Sequence, residues 1–272
     1  MNKKLEDELV KTLCLESKDK GWEKAVAERY GNLDRTPWIA DLSRADSLLF
    51  SNLNHDSTVL DLGSDYGVLS FALSHLCSSV VSLDSRKEYA EFVKIRAQQD
   101  ERLNITSVLG DITTLPFSEN SFDLIILNRG IPLSTLKEKL DVLLKQIYIL
   151  LKPKGEIHIG MDRWPLKYTS FLSCRRFEQQ LSSVGFTVHR RIIPLKRYNN
   201  FKFLLEYKNM SDVSFLLELL IKEYAHKIFG EKLLEIILKM GKLTKIHALL
   251  FNSYLSHSYV ILAHKTKSNE FA

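Results

Sequence analysis

The period of apolar and polar positions changes several times along the chain, and each change marks a boundary between elements. Up to about residue 35 the pattern is helical with charged faces, ending near Tyr30-Gly31-Asn32. Ser43 is placed to cap a second helix through Arg44-Ala45-Asp46-Ser47-Leu48-Leu49-Phe50, with Asp46 as the capping-box acid. The period then shortens: Thr58-Val59-Leu60-Asp61-Leu62 reads as a strand stopped by Gly63, and 68–76 returns to helix. The alternation repeats, with strands over 80–83, 105–109, 122–127 and 156–160 and helices over 87–99 and 136–151. Strands alternating with helices of this length predict right-handed βαβ units and a parallel sheet. Leu124-Ile125-Ile126-Leu127 is apolar at every position, as a central strand covered on both faces requires.

Beyond residue 170 the pattern differs. It predicts a helix over 171–183 ended by Gly185, a strand over 186–194 and a last strand over 258–263. Between those strands, the segment from about 196 to 256 contains helical periodicity, notably over 214–229 and 231–240 with Gly230 between them. This divides the chain into an N-terminal helical extension (1–55) and an α/β domain (56–272) carrying a helical insertion. The insertion reads either as a lid over an acceptor, with Trp38 and Tyr198 as aromatic walls, or as a homodimer interface.

Composition removes several classes of function. At 272 residues, 45% hydrophobic and 26% charged, the chain has the profile of a globular protein able to bury a full core. No apolar run reaches membrane-spanning length, and the opening Met1-Asn2-Lys3-Lys4-Leu5-Glu6-Asp7-Glu8 mixes charge signs unlike a secretory signal, so a cytoplasmic location is expected. Cys14, Cys77 and Cys174 are isolated, which argues against a disulfide framework or zinc; no metal is expected. The net charge of +5 is mild and disfavours nucleic acid as a partner. One basic stretch, Arg190, Arg191, Lys196, Arg197 and Lys202, reads as a solvated strand edge and loop.

Three loops carry candidate chemistry. In Val59-Leu60-Asp61-Leu62-Gly63-Ser64-Asp65-Tyr66-Gly67 a strand runs through a two-glycine turn into a helix, the place where α/β sheets bind nucleotides. The G-x-x-x-G spacing differs from G-x-G-x-x-G and disfavours a pyrophosphate site. Asp84 stands 23 residues after Asp61 at the tip of the neighbouring strand, where a carboxylate can accept from two ribose hydroxyls; its alternative role is to cap the helix that follows. After the third strand, Asp111 is placed to accept from an adenine amino group and Ile112 to cover the ring.

Together these segments resemble the motif series of class I S-adenosylmethionine (SAM)-dependent methyltransferases. The resemblance runs through V-L-D-L-G-S-D-Y-G, V-V-S-L-D, G-D-I-T-T-L-P-F, S-F-D-L-I-I-L-N and L-L-K-P-K-G-E, roughly residues 56 to 162. It implies a Rossmann-like seven-stranded, mostly parallel sheet with helices on both faces, and SAM as cofactor. By position it implies that Asp61, Gly63, Ser64, Asp65 and Gly67 surround the methionine and ribose parts. Asp84 would then hold the ribose hydroxyls, Asp111 and Ile112 the adenine, and Asn128 would face the sulfonium. Asp65 departs from the family, which most often has glycine there. More loosely, Ser43-Arg44-Ala45-Asp46 and Asp162-Arg163-Trp164 with Lys167-Tyr168 are similar to bacterial methyltransferases of polysaccharide or secondary-metabolite biosynthesis.

Methyl transfer needs alignment and exclusion of water more than a fixed catalytic base, so no catalytic residue is assigned. Asn128-Arg129-Gly130-Ile131-Pro132 lacks the Asp/Asn-Pro-Pro-aromatic tetrad of nucleic-acid amino methyltransferases. The acceptor-side candidates are Arg129, His158, Trp164, Tyr168 and Tyr198, each with a packing role as its alternative. The expected acceptor is an O or N atom of a small-molecule or sugar-containing metabolite. An RNA methyltransferase and a non-catalytic scaffold of the same fold are the competing readings.

Overall fold

Strand formation begins where β-branched and leucine residues displace charge. In the computed structural model, which describes residues 3–30, 39, 45, 48, 50–127, 138–162, 170–194, 204–206 and 258–266, that alternation builds one eight-stranded sheet. The elements are α1 (Lys3–Lys20), α2 (Trp22–Tyr30), β1 (Thr58–Leu62), α3 (Val68–Leu73), β2 (Ser79–Asp84), α4 (Lys87–Gln99) and β3 (Ile105–Leu109). They continue with β4 (Phe122–Leu127), α5 (Glu138–Leu150), β5 (Leu151–Asp162), α6 (Ser170–Val184), β6 (Phe186–Pro194), β7 (Leu204–Glu206) and β8 (Ser258–Lys265).

The sheet order is β3-β2-β1-β4-β5-β8-β6-β7. The first five strands in that order pair in parallel, whereas β8, β6 and β7 pair antiparallel. This is the expected mostly parallel sheet with one addition: Leu204-Leu205-Glu206 pairs with Ile192-Ile193-Pro194 as a short edge strand, in a part of the insertion for which the sequence pattern predicts no strand. Three residues able to complete a hairpin with β6 are enough to take the chain into the sheet there. The helices expected over 214–229 and 231–240 lie outside the described residues.

Alternate side chains of each strand serve opposite faces. Leu60, Leu62, Leu83, Ile125 and Leu127 pack under α5 and α6 through Leu143, Leu144, Ile147, Phe177 and Leu181. Val59, Val80, Leu124 and Ile126 pack on the other face against Phe71 of α3 and Val93 and Ala97 of α4. Fully burying each leucine or isoleucine in these layers stabilises by about 1.5–3 kcal/mol, which outweighs any deficit in helix propensity along α5.

The first segment forms two helices, not one. Gly21, at φ 90°, breaks them, and its N–H closes the last turn of α1 on the Ser17 carbonyl at 3.1 Å. Val10, Leu13, Trp22, Val26 and Tyr30 from this pair meet Tyr66, Tyr89, Phe92 and Ile95 in a third buried cluster. Arg96, only 4% exposed, fastens the junction: its guanidinium lies over the Trp22 and Phe71 rings and donates to the Ile39 carbonyl and Asp100. Trp22 Nε1 donates to the same Asp100 carboxylate at 2.6 Å. The extension therefore packs onto α4 and the turn after β1, forming one body with the sheet.

Candidate functional site

The turn at the tip of β1 needs backbone conformations that most residues avoid. Gly63, Asp65 and Gly67 have φ of 69°, 56° and 76°, so alternate positions of the turn lie in the left-handed region. Gly63 and Gly67 adopt it at no steric cost, while aspartate is among the few side chains that tolerate it. Position 67 is also closely packed: a Cβ there would lie 2.9 Å from Val93 Cγ2 of α4 and 3.2 Å from the Phe71 ring of α3.

Hydrogen bonds tie the strand tips together. The N–H groups of Gly63 and Ser64 donate to the Leu83 carbonyl at 2.9 and 3.1 Å, and that of Gly110 donates to the Asp84 carbonyl at 3.0 Å. The tips of β1, β2 and β3 thus form a continuous rim at the carboxyl ends of parallel strands. Asp84 is buried within it. Its Oδ2 accepts from the Asp65 N–H at 3.0 Å, and its Oδ1 accepts from the Arg86 N–H at 2.9 Å and from Arg86 Nε at 3.3 Å. The capping alternative for Asp84 is partly realised in that Arg86 contact, although the residue in the N-cap position of α4 is Arg86 itself. Carboxylate oxygens carry further lone pairs, so these local bonds leave Asp84 able to accept from hydroxyls as well.

Asp61 points from β1 toward α3. Its Oδ2 accepts from Ser70 Oγ at 2.7 Å, and complete burial pushes its pKa up to about 7. Asp61 Oδ1 and Ser64 Oγ are buried beside the turn with no hydrogen-bond partner among the described residues. Buried polar atoms in a native protein are nearly always paired, so two such atoms flanking a left-handed turn suit a polar ligand. Burial likewise raises the Asp65 carboxyl, with the adjacent Arg86 charge opposing the rise.

Asp111 is exposed, and its Oδ1 accepts from Thr113 N–H and Oγ1 at 2.8 and 2.9 Å; those bonds hold its pKa below the usual carboxylate range. Ile112 beside it packs, half-buried, against the Leu60–Leu83 core. The structure thus brings Asp61, Gly63, Ser64, Asp65, Gly67 and Asp84 into one turn-and-rim unit, with Asp111 and Ile112 at the next strand tip. His158 sits in the middle of β5 between Ile126 and Leu262 and is 3% exposed, a position suited to packing. Asn128, Arg129, Trp164, Tyr168, Tyr198 and Trp38 lie outside the described residues. Among the described residues no three His, Cys, Asp or Glu side chains are grouped to hold a metal, and no helix is long and apolar enough to cross a membrane.

Sequence reasoning missed Arg86, Ser70 and the tyrosines that back the turn. Tyr66, inside the turn, stacks edge-on against Tyr89 and Phe92 with centroids 4.9 and 5.6 Å apart, while Arg86 lies over the Tyr89 ring at 3.6 Å. One signal was available: three acids converging on one turn call for a cation within reach, and Arg86 follows Asp84 by two positions.

Comparison with known proteins agrees with this geometry. Residues 59–155 match the family model of a methyltransferase domain. Over 103 residues the chain is 31% identical to a demethylmenaquinone methyltransferase of Lactococcus lactis subsp. lactis, a match covering 37% of this chain and 40% of that protein. A protein of the same name from Oceanobacillus iheyensis is 30% identical over 118 residues, 42% of this chain and 48% of its own length. The matched region thus spans less than half the length of these curated relatives. In fold, a putative methyltransferase from Bacillus halodurans superposes with a TM-score of 0.52 at 13% identity, covering 84% of this chain and 99% of that one. Residues 59–155 thus match a methyltransferase domain, and the sheet has the fold of a solved methyltransferase.

Proposed function

We propose that this chain is an active methyltransferase that binds SAM on the β1–β3 rim and methylates an O or N atom of a small-molecule or sugar-containing acceptor. The observation that carries the cofactor half is the left-handed turn at 63–67, anchored on Leu83 and Asp84, with Asp61 Oδ1 and Ser64 Oγ left available beside it. Bound SAM supplies a methyl group on a positively charged sulfur, poised for in-line displacement. Around it, Asp61 lies beside the cationic end, Asp65 borders the turn with its carboxylate paired to Arg86, and Asp84 accepts from ribose hydroxyls. Asp111 Oδ2 accepts from the adenine amino group, with Ile112 against the ring. Asn128, the residue that follows β4 in sequence, is assigned to the sulfonium region on the family resemblance alone. None of these groups needs to move a proton; their work is orientation and charge complementarity.

Of the acceptor-side candidates, His158, Trp164, Tyr168 and Tyr198 fall outside the segment that matches the family model and Arg129 falls inside it, which supports a specificity set largely by this chain's own surroundings. The names of the two curated relatives favour a second reading, in which the acceptor is a demethylmenaquinone. Calorimetry with SAM and S-adenosylhomocysteine tests the cofactor half, and absence of binding up to millimolar ligand would defeat it. Transfer of labelled methyl to a panel of sugar nucleotides, small metabolites and quinols tests the acceptor half. Label appearing only on the quinols would replace the first acceptor reading with the second.

A further inference from the structure

We propose that Arg86 is a positioning residue that holds the Asp65 side chain back and so keeps the cofactor cradle open; the inference rests on the rim being the SAM site. Asp65 is the residue whose geometry demands explanation. It occupies the left-handed region at φ 56° without being glycine, in a turn where both flanking left-handed residues are glycines. Its backbone N–H is committed to Asp84 Oδ2 at 3.0 Å, so the main chain is fixed and only the carboxylate can move. Among the described residues that carboxylate has one hydrogen-bonding partner, Arg86, whose Nη2 reaches Asp65 Oδ1 at 2.7 Å.

The guanidinium is itself well seated. Tyr89 supports its flat face at 3.6 Å, and Nε grips Asp84 Oδ1 at 3.3 Å. Burial works against its charge, but Asp84 and Asp65 together more than offset that and keep it more basic than a free arginine. Only arginine presents two donors in a rigid fork that can serve Asp84 and Asp65 at once.

The two acids depend on Arg86 unequally. Asp84 retains two backbone donors, the N–H groups of Asp65 and Arg86, if the side chain is lost. Asp65 retains none. Without the guanidinium, the Asp65 carboxylate gains rotamers, among them those that project over the turn where the ligand's ribose and methionine portions would lie. It also becomes an uncompensated, half-buried charge near Asp61 and Asp84, with Glu6 of α1 adding to the repulsion. Arg86 thereby makes an aspartate compatible with a turn that glycine fits without assistance.

The test is a double-mutant cycle read by calorimetry with S-adenosylhomocysteine, using the full chain. Arg86→Ala should weaken binding at least tenfold in the native background. In the Asp65→Gly background the same replacement should weaken it less than threefold, because the obstructing group is gone. Arg86→Lys, which keeps charge but loses the fork, should fall between. Thermal melting of each variant reports folding, and a purely structural role for Arg86 would give the same loss in both backgrounds. Equal losses overturn the inference while leaving the functional reading intact. Failure of the unsubstituted chain to bind S-adenosylhomocysteine overturns the functional reading and this inference with it.

Discussion

Replacing Gly67 with alanine isolates the two demands the turn makes on one residue. The φ of 76° places any L side chain in the left-handed region, which costs about 1–2 kcal/mol. The new methyl would also stand 2.9 Å from Val93 Cγ2 and 3.2 Å from the Phe71 ring. Both neighbours are buried, Val93 at 0% and Phe71 at 2% exposure, and neither has a flexible end to swing away. Forcing a methyl into such packing costs about 1–3 kcal/mol more. Gly67→Ala should therefore destabilise by about 2–5 kcal/mol. Gly21→Ala is the matched control: φ is 90°, yet a Cβ there meets nothing within 4 Å, so only the backbone cost of about 1–2 kcal/mol applies. Urea unfolding of both variants measures the difference, with slopes compared to confirm that the unfolded states are equivalent. Equal destabilisation would refute the claim that the Val93 and Phe71 side chains packed against position 67 are what requires glycine there.

Three further expectations follow from the same geometry. Asp84→Ala should weaken S-adenosylhomocysteine binding by about 1–3 kcal/mol in calorimetry, through hydroxyls left without an acceptor; unchanged affinity would refute the ribose assignment. Asp61 titrates near 7 when folded, above the unfolded value of 3.8, so the folded state holds the extra proton between those values. Its contribution to stability is consequently greatest below pH 4 and declines as pH rises toward and through 7. Asp61→Asn should remove that decline in unfolding free energies measured from pH 4 to 8, and a parallel pair of curves would contradict the burial argument. Arg96→Ala should destabilise by about 1.5–3 kcal/mol, since it strips a charge-assisted donor from Asp100 and the Ile39 carbonyl; chemical unfolding within 0.5 kcal/mol of the parent, roughly the range of an ordinary surface substitution, would sink that reading.

The elements that periodicity predicts well are those whose pattern is purely local. Strands over 105–109, 122–127 and 186–194 and the helix over 87–99 appear with the expected bounds, because each is an apolar run or stripe closed by its own polar or glycine flanks. The break at Gly21 is not legible in the sequence, because a single glycine within a charged helical pattern gives no sign of its φ. The three-residue strand at Leu204–Glu206 is too short to show a period and exists through its pairing with β6. At the site, the glycines and Asp84 were legible since motif spacing encodes backbone shape. The grip of Arg86 on Asp65 was not, because it joins side chains from two loops whose proximity only the paired strands create.

The position of β8 has a consequence for how the chain acquires its structure. Residues 258–265 lie between β5 and β6, pairing Glu156 with His264 on one side and Phe186 with Lys265 on the other. Until that strand arrives, β5 and β6 each present an open edge of unpaired amides. Synthesis proceeds from the amino end, so the parallel half can assemble on the ribosome while these two edges wait for a late insertion. That interval is when intermolecular pairing competes, and chaperone dependence or deposition during overproduction should concentrate there.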